Sequence, residues 1–211
     1  MQLATRFYSL VSGHLSLVTM ILGITGKTGA GKHTAAKYLA SKGWIVLDGD
    51  TIAHSLYAPD KPVWHELVRV FSEAILKPDR TIDRQKLHDL VFSAGDFRDN
   101  LKKLNAIVHP PLQAELKSRV AELRRLGKQV VVVGALWKQL DFPSLVDKMV
   151  VIRAFASTAC DRILKRDKID RQAFLARWNA QALPETPDAV IDNHGTLEDF
   201  HGAIDSALAQ L

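Results

Sequence analysis

Apolar residues along the 211-residue chain gather into short unbroken runs, and the segments between those runs carry helical spacing. Residues 21–25 form the first run. Residues 44–47 form the second, which ends at Asp48. Residues 130–133 are four consecutive valines, 149–152 are apolar throughout, and Val190-Ile191 is the last and shortest run. Apolar runs that do not alternate with polar residues mark strands covered on both faces, the habit of parallel sheets. Between them, helical patterns run from the glycine-rich turn after residue 25 to residue 39, over most of 60–126, over 157–166 with many basic residues, over 172–183, and from 197 to the end. Pro59, Pro62, Pro78 and the Pro110-Pro111 pair punctuate the long helical stretch. Strands alternating with helices predict an α/β three-layer sandwich around a parallel sheet, spanning residues 20–211. The stretch at about 60–126 reads as a helical insertion, and about 162–183 as a second, smaller one that forms a lid.

The first 19 residues stand apart. They contain Arg6 and His14 and no acidic residue, a composition shared with targeting peptides. Their apolar stretch runs directly into Met20 and the first core strand, so cleavage there would remove a strand. We therefore read 1–19 as an extension ahead of Met20. Composition adds three bounds. With 47% hydrophobic and 24% charged residues, the chain builds a packed core and is not disordered. The single cysteine, Cys160, excludes an internal disulfide and points to a reducing, cytoplasmic setting. A net charge of +5 suits an anionic partner, either a small molecule or nucleic acid. No apolar run is long enough to span a membrane.

Chemistry enters with Gly26-Lys27-Thr28-Gly29-Ala30-Gly31-Lys32, which matches G-x-x-x-x-G-K between a strand and a helix. Glycines let successive backbone N–H groups converge on one concavity, the helix start adds positive potential, and the lysine reaches the β- and γ-phosphates of a nucleotide. The fold expected is thus of the P-loop NTPase type, with ATP as the nucleotide. The residue after the lysine is ordinarily Ser or Thr, whose hydroxyl helps hold Mg²⁺. Here it is His33, followed by Thr34. Imidazole nitrogen is a poor ligand for Mg²⁺, so the ion is held through water and other groups, with Thr34 or Asp50 as candidates, or it is held weakly, or His33 points elsewhere.

Asp48-Gly49-Asp50 follows the second strand, at the sheet edge where ligands gather in open α/β folds. A carboxylate there can accept a hydrogen bond from an attacking hydroxyl and take its proton. The competing reading makes Asp50 the N-cap of a helix starting near Thr51.

With these segments in order, the chain resembles the dephospho-coenzyme A kinase family from Met20 onward. The resemblance rests on Ile24-Thr25-Gly26 leading the loop, on Val46 to Ala53 around the two aspartates, and on Ile82-Asp83-Arg84 with Leu87 and Val91-Phe92. It rests also on Leu104 to Pro110 with Asn105 and His109-Pro110, on Arg162 and Arg166-Asp167, and on Val190 to Gly195. It implies ATP and Mg²⁺, dephospho-coenzyme A as the small-molecule acceptor, and coenzyme A as product. By position, Asp50 would be the general base toward the ribose 3′-hydroxyl. Asp48, Arg84 and His109 would lie toward the acceptor, Arg162 and Arg166 would close on the ATP phosphates, and Asn193 would lie near the adenine.

The residues themselves agree in part. Arginine suits phosphate through its planar fork, and Arg162 and Arg166, four apart, share one helical face. His109 before two prolines also fits a helix boundary. The family's D-x-P-L-L-x-x-E-like segment reads Val133-Gly134-Ala135-Leu136-Trp137-Lys138-Gln139 here, with Gly134 and Gln139 near the places of the acids and Trp137 reading as core. With His33, this leaves the metal site poor in oxygen ligands. Two other functions compete: another small-molecule P-loop kinase, such as a nucleoside monophosphate kinase, and a nucleotide-binding relative impaired in catalysis. Nucleic-acid binding ranks below both, because the basic residues cluster in the lid and no recognition module is visible.

Overall fold

A computed structural model describes the backbone of residues 8–11, 14–17, 19–92, 97–135, 141–167 and 169–211, with side chains described from residue 19 onward except at 92, 97 and 142. The chain divides into two compact units, Met1–Asp48 with Arg119–Leu211, and Gly49–Ser118.

In the first unit, β1 (Tyr8–Val11) and β2 (His14–Leu17) pair antiparallel with each other. They stay outside the main sheet, whose strands are β3 (Ile21–Gly26), β4 (Ile45–Asp48), β5 (Val130–Val133), β6 (Lys148–Arg153) and β7 (Ala189–Asp192). Their order is β4-β5-β3-β6-β7, and every pairing is parallel. The chain winds to one side of β3 and then to the other, so the carboxyl end of β3 sits at the switch point where open α/β sheets bind ligands. All six residues of β3 and all four of β5 are buried, which is why their sequences are unbroken rather than alternating.

Helix α1 (Lys32–Ser41) packs Ala35, Ala36 and Leu39 against the sheet. On the same core lie Phe200, Ile204 and Leu208 from the closing helix, Leu197–Leu208. That closing helix starts where the sequence suggested because Thr196 and Asp199 form a reciprocal capping box. A loop carboxylate ties the entry to β3: Asp147 Oδ2 accepts from the Ile21 N–H at 2.8 Å, and its Oδ1 receives Arg124 at 2.8 Å.

The second unit begins with α2 (Gly49–Leu56) and α3 (Pro62–Phe71), where Pro62 sits in the first turn and lacks only an N–H that has no helical partner. A short 3₁₀ turn (Glu73–Ile75), α4 (Arg84–Phe92) and α5 (Phe97–Arg125) follow, with α5 belonging to this unit as far as Ser118. Its core gathers Trp64, Leu67, Phe71, Ile75 and Val91. The prolines at 110 and 111 do not divide α5, which runs through both. Each proline removes one helical hydrogen bond. Packing offsets that loss, since Leu112 and Leu116 are buried just beyond them. His109 is therefore a mid-helix residue rather than a boundary.

The remaining helices belong to the first unit: α6 (Phe142–Leu145), α7 (Ala156–Asp167) and α8 (Arg171–Ala180), with α9 the closing helix. Asp170 caps α8 by accepting from the Ala173 N–H. That helix stops three residues short of the expected end, with Gln181 in an extended conformation and residues 182–183 outside any helix or strand.

Among the described residues, the Thr25 hydroxyl is a fully buried polar group without a hydrogen-bond partner. Thr25→Val keeps the shape and removes an unsatisfied group, so it is expected to leave stability unchanged or raise it by about 1 kcal/mol. Denaturant unfolding checks this, and a loss of more than about 1 kcal/mol would show that the hydroxyl is satisfied.

Candidate active site

The phosphate-binding loop leaves β3 at its buried end and turns into α1. Gly29 (φ 76°) and Gly31 (φ 108°) hold left-handed backbone conformations, which side chains beyond hydrogen rarely adopt. Space imposes the same restriction. A Cβ on Gly29 would lie 2.6 Å from the Ala159 carbonyl oxygen, and one on Gly31 would run into the Asn193 amide. Ala30 N–H bonds to the Lys27 carbonyl at 3.1 Å. Lys32 is buried, and its Nζ folds back onto the carbonyls of Gly26 (2.7 Å) and Lys27 (3.1 Å). The ammonium is thus held over the loop, where an anionic phosphate would compete with two neutral oxygens for it.

Distant side chains brace the loop. Asn193, buried just past β7, donates from Nδ2 to the Ala30 carbonyl at 2.8 Å, which places it beneath the loop. Arg162 Nη1 donates to the Gly29 carbonyl at 3.4 Å. Arg166, one turn further along α7, forks onto Asp167 instead, at 2.6 and 3.0 Å. That bond to Arg166 holds the Asp167 carboxyl below its ordinary range. Of the two arginines that the sequence assigned to the ATP phosphates, Arg162 is drawn to the loop and Arg166 to Asp167.

A cavity of about 400 Å³ opens beside the loop, lined by Lys27, Ala30, Phe155, Trp178, Leu183 and His194 among others. Phe155 is 58% exposed and stacks on His194, with ring centroids 3.8 Å apart. The Lys27 ammonium lies 4.9 Å over the Trp178 ring. A mostly apolar recess with flat aromatic walls next to a phosphate loop suits a nucleobase. Sequence reasoning passed over these aromatics, which are scattered over 40 positions and share no spacing.

At the carboxyl end of β4, His33 Nε2 lies 2.7 Å from Asp48 Oδ2, a contact that requires a proton on that nitrogen. His33 therefore turns toward Asp48. Gly134, at the end of β5, donates its N–H to the Ile24 carbonyl and brings no oxygen ligand from a side chain. Gln139 and Trp137 lie outside the described residues. Thr34 is exposed on α1. A nitrogen donor engaged by Asp48 stands where a hydroxyl is ordinarily found, and imidazole nitrogen is a poor ligand for Mg²⁺.

The second unit holds the other sequence candidates. Asp50 is exposed within the first turn of α2, which begins at Gly49, so it is not the N-cap of a helix starting at Thr51. Its charge is favoured there by the helix dipole. Arg84 Nη1 approaches His54 Nδ1 at 3.2 Å. Nε2 of the same ring lies 3.4 Å from that Nη1, and since a guanidinium only donates, the imidazole would be the acceptor. His54 in turn meets Tyr57 edge-on at 5.5 Å, and burial raises the Tyr57 phenol to about 12. His109 is half-buried, which lowers its pKa below the usual histidine value.

A central parallel strand feeding a G-x-x-x-x-G-K loop and its helix defines a P-loop nucleotide-binding fold. Comparison with known proteins narrows the class. Residues 20–199 match the family model described as Dephospho-CoA kinase. A Symbiobacterium thermophilum dephospho-CoA kinase is 34% identical over 192 residues, covering 89% of this chain and 79% of the relative. A Geobacter sulfurreducens dephospho-CoA kinase is 34% identical over 195 residues, covering 90% and 98%. A Thermus thermophilus crystal structure is 33% identical with a TM-score of 0.72, covering 92% of this chain and 98% of its own. The chain belongs to the dephospho-CoA kinase family. Among the described residues, no helix is long and apolar enough to cross a membrane.

Asn193→Ala would leave the buried Ala30 carbonyl without its partner, so the nucleotide-free protein is expected to lose about 1–3 kcal/mol. Chemical unfolding without ATP measures it, and an unchanged midpoint would show that the bond contributes nothing.

Proposed function

We propose that this chain transfers the γ-phosphate of ATP to the ribose 3′-hydroxyl of dephospho-coenzyme A, yielding ADP and coenzyme A. The observation that carries the reading is the loop itself, with Lys32 folded over its carbonyls at the switch point of the sheet, in a chain of this family.

On this reading the adenine enters the cavity walled by Phe155, Trp178 and His194, and the phosphates meet loop N–H groups between Gly26 and Thr34 other than that of Thr28, which Gln181 holds, with His33 contributing its backbone. Lys32 exchanges its two carbonyl partners for oxygens of the β- and γ-phosphates. Arg162, already at Gly29, adds charge to the transferring group. Arg166 acts there only after leaving Asp167. Mg²⁺ bound to the nucleotide would neutralise phosphate charge, and the transfer itself rests on the chain's own groups. Asp50 accepts the 3′-hydroxyl proton while that oxygen forms its bond to the γ-phosphorus. The bond from that phosphorus to the β–γ bridging oxygen breaks, and ADP carries away the electron pair. Asp50 then returns the proton to solvent. Asp48, Arg84 and His109 serve the acceptor. Arg84, exposed at the start of α4, is the group best suited to an acceptor phosphate. Excluding water at closure directs the phosphoryl group to the acceptor.

Incubating the protein with ATP, Mg²⁺ and dephospho-coenzyme A should give coenzyme A by mass spectrometry. Absence of product alongside ATP binding would overturn the transfer reading. Lys32→Ala should lower kcat/KM by about 10²- to 10³-fold, and near-normal turnover would remove Lys32 from the mechanism. Asp50→Asn should lower kcat by about 10²-fold or more with ATP affinity little changed. Equal rates for Asp50→Asn and wild type would leave Asp50 as a helix-terminus charge alone.

A further inference from the structure

The lid-side chain grips the phosphate-binding loop at a point that the transfer mechanism does not use. The side-chain carbonyl of Gln181 accepts the Thr28 backbone N–H at 2.6 Å, across 153 residues of sequence. Gln181 is the first residue past α8. Phe174 on that helix is buried in a small cluster with Ala159, Cys160 and Ile163 of α7, and Trp178 carries the Lys27 ammonium over its ring. The backbone of Ala159 in turn closes on Gly29. Consecutive loop residues are therefore held one by one. Trp178 holds Lys27, Gln181 holds Thr28, Ala159 and Arg162 hold Gly29, and Asn193 holds Ala30. Four of these contacts come from α7, α8 and the residue that follows them.

The chemical type at position 181 matters. A loop that collects phosphates needs its own backbone fixed by acceptors without charge, since a carboxylate at hydrogen-bond distance would repel the same phosphates. A carboxamide supplies a carbonyl acceptor and no charge. An amide left without that acceptor lets the loop sample other geometries, and apparent affinity falls in proportion to the fraction still competent.

We propose that Gln181 is a positioning residue for ATP: its neutral carbonyl sets the Thr28 amide and couples the α7–α8 segment to the phosphate-binding loop. The proposal deepens the phosphotransfer reading and rests on it for the identity of the nucleotide.

Two variants test it. Gln181→Met keeps length and removes the acceptor; Gln181→Glu keeps the acceptor and adds charge. ATP affinity by calorimetry and Thr28 amide hydrogen exchange are measured on each, with melting of the nucleotide-free proteins as the control. Q181M is expected to exchange Thr28 faster and bind ATP roughly tenfold more weakly at every salt concentration. Q181E is expected to keep Thr28 protected yet bind ATP weakly at low salt, recovering as salt screens the added charge. KM for ATP rises in both variants while KM for the acceptor stays. Unchanged ATP affinity in Q181M, or unchanged Thr28 exchange, overturns the proposal. Should Q181M fail to fold, Q181E decides alone, and full affinity at low salt overturns it. Wild-type protein that shows this dependence but makes no coenzyme A sinks the transfer reading and leaves the coupling standing. Wild-type protein without ATP affinity overturns both.

Discussion

The molecule is organised by one constraint: a strand buried on every side must end in a loop whose backbone N–H groups stay available to phosphate. Burial of β3 between β5 and β6 gives the loop a fixed origin. Left-handed glycines at 29 and 31 then reverse the chain into α1 within a few residues. A loop of this kind has little side-chain mass to hold it, so its shape depends on neighbours. Ala159, Arg162, Gln181 and Asn193 supply that support from three separate stretches of the chain. The phosphate site is thus a product of the whole first unit, although its sequence signature is seven residues long.

The metal question has a physical answer in the same region. Where a hydroxyl ordinarily faces the cation, this chain places an imidazole whose Nε2 is engaged by Asp48 at 2.7 Å. The pair joins the start of α1 to the end of β4. The lid arginines show a similar division. Arg162 reaches a loop carbonyl, whereas Arg166 is held by Asp167, so two residues with one sequence signature have different partners.

Much of the candidate site was legible because its chemistry is local. A strand, a glycine-rich turn, a lysine and a helix are contiguous, and Asp48 and Asp50 follow one strand later. The readings that failed were those in which local preference met tertiary packing. The Pro110-Pro111 pair looks like a helix end, yet α5 continues through it with buried leucines beyond. Asp50 looks like a cap, yet the helix begins one residue earlier. The stretch after α8 has helical composition, yet Gln181 leaves the helix and its side chain meets Thr28.

By itself the sequence determined the class of fold, the phosphate loop and the order of the functional segments. Apolar runs, glycine spacing and lysine position follow from rules that act over a few residues. Only the tertiary structure decided the strand order, the aromatic walls beside the loop, and the pairing of Gln181 with Thr28, Asn193 with Ala30, and His33 with Asp48. The two carboxamide contacts span more than 150 positions, and the aromatic walls share no spacing. Their partners are chosen by where the sheet and helices come to rest, and no periodicity along the chain encodes that choice.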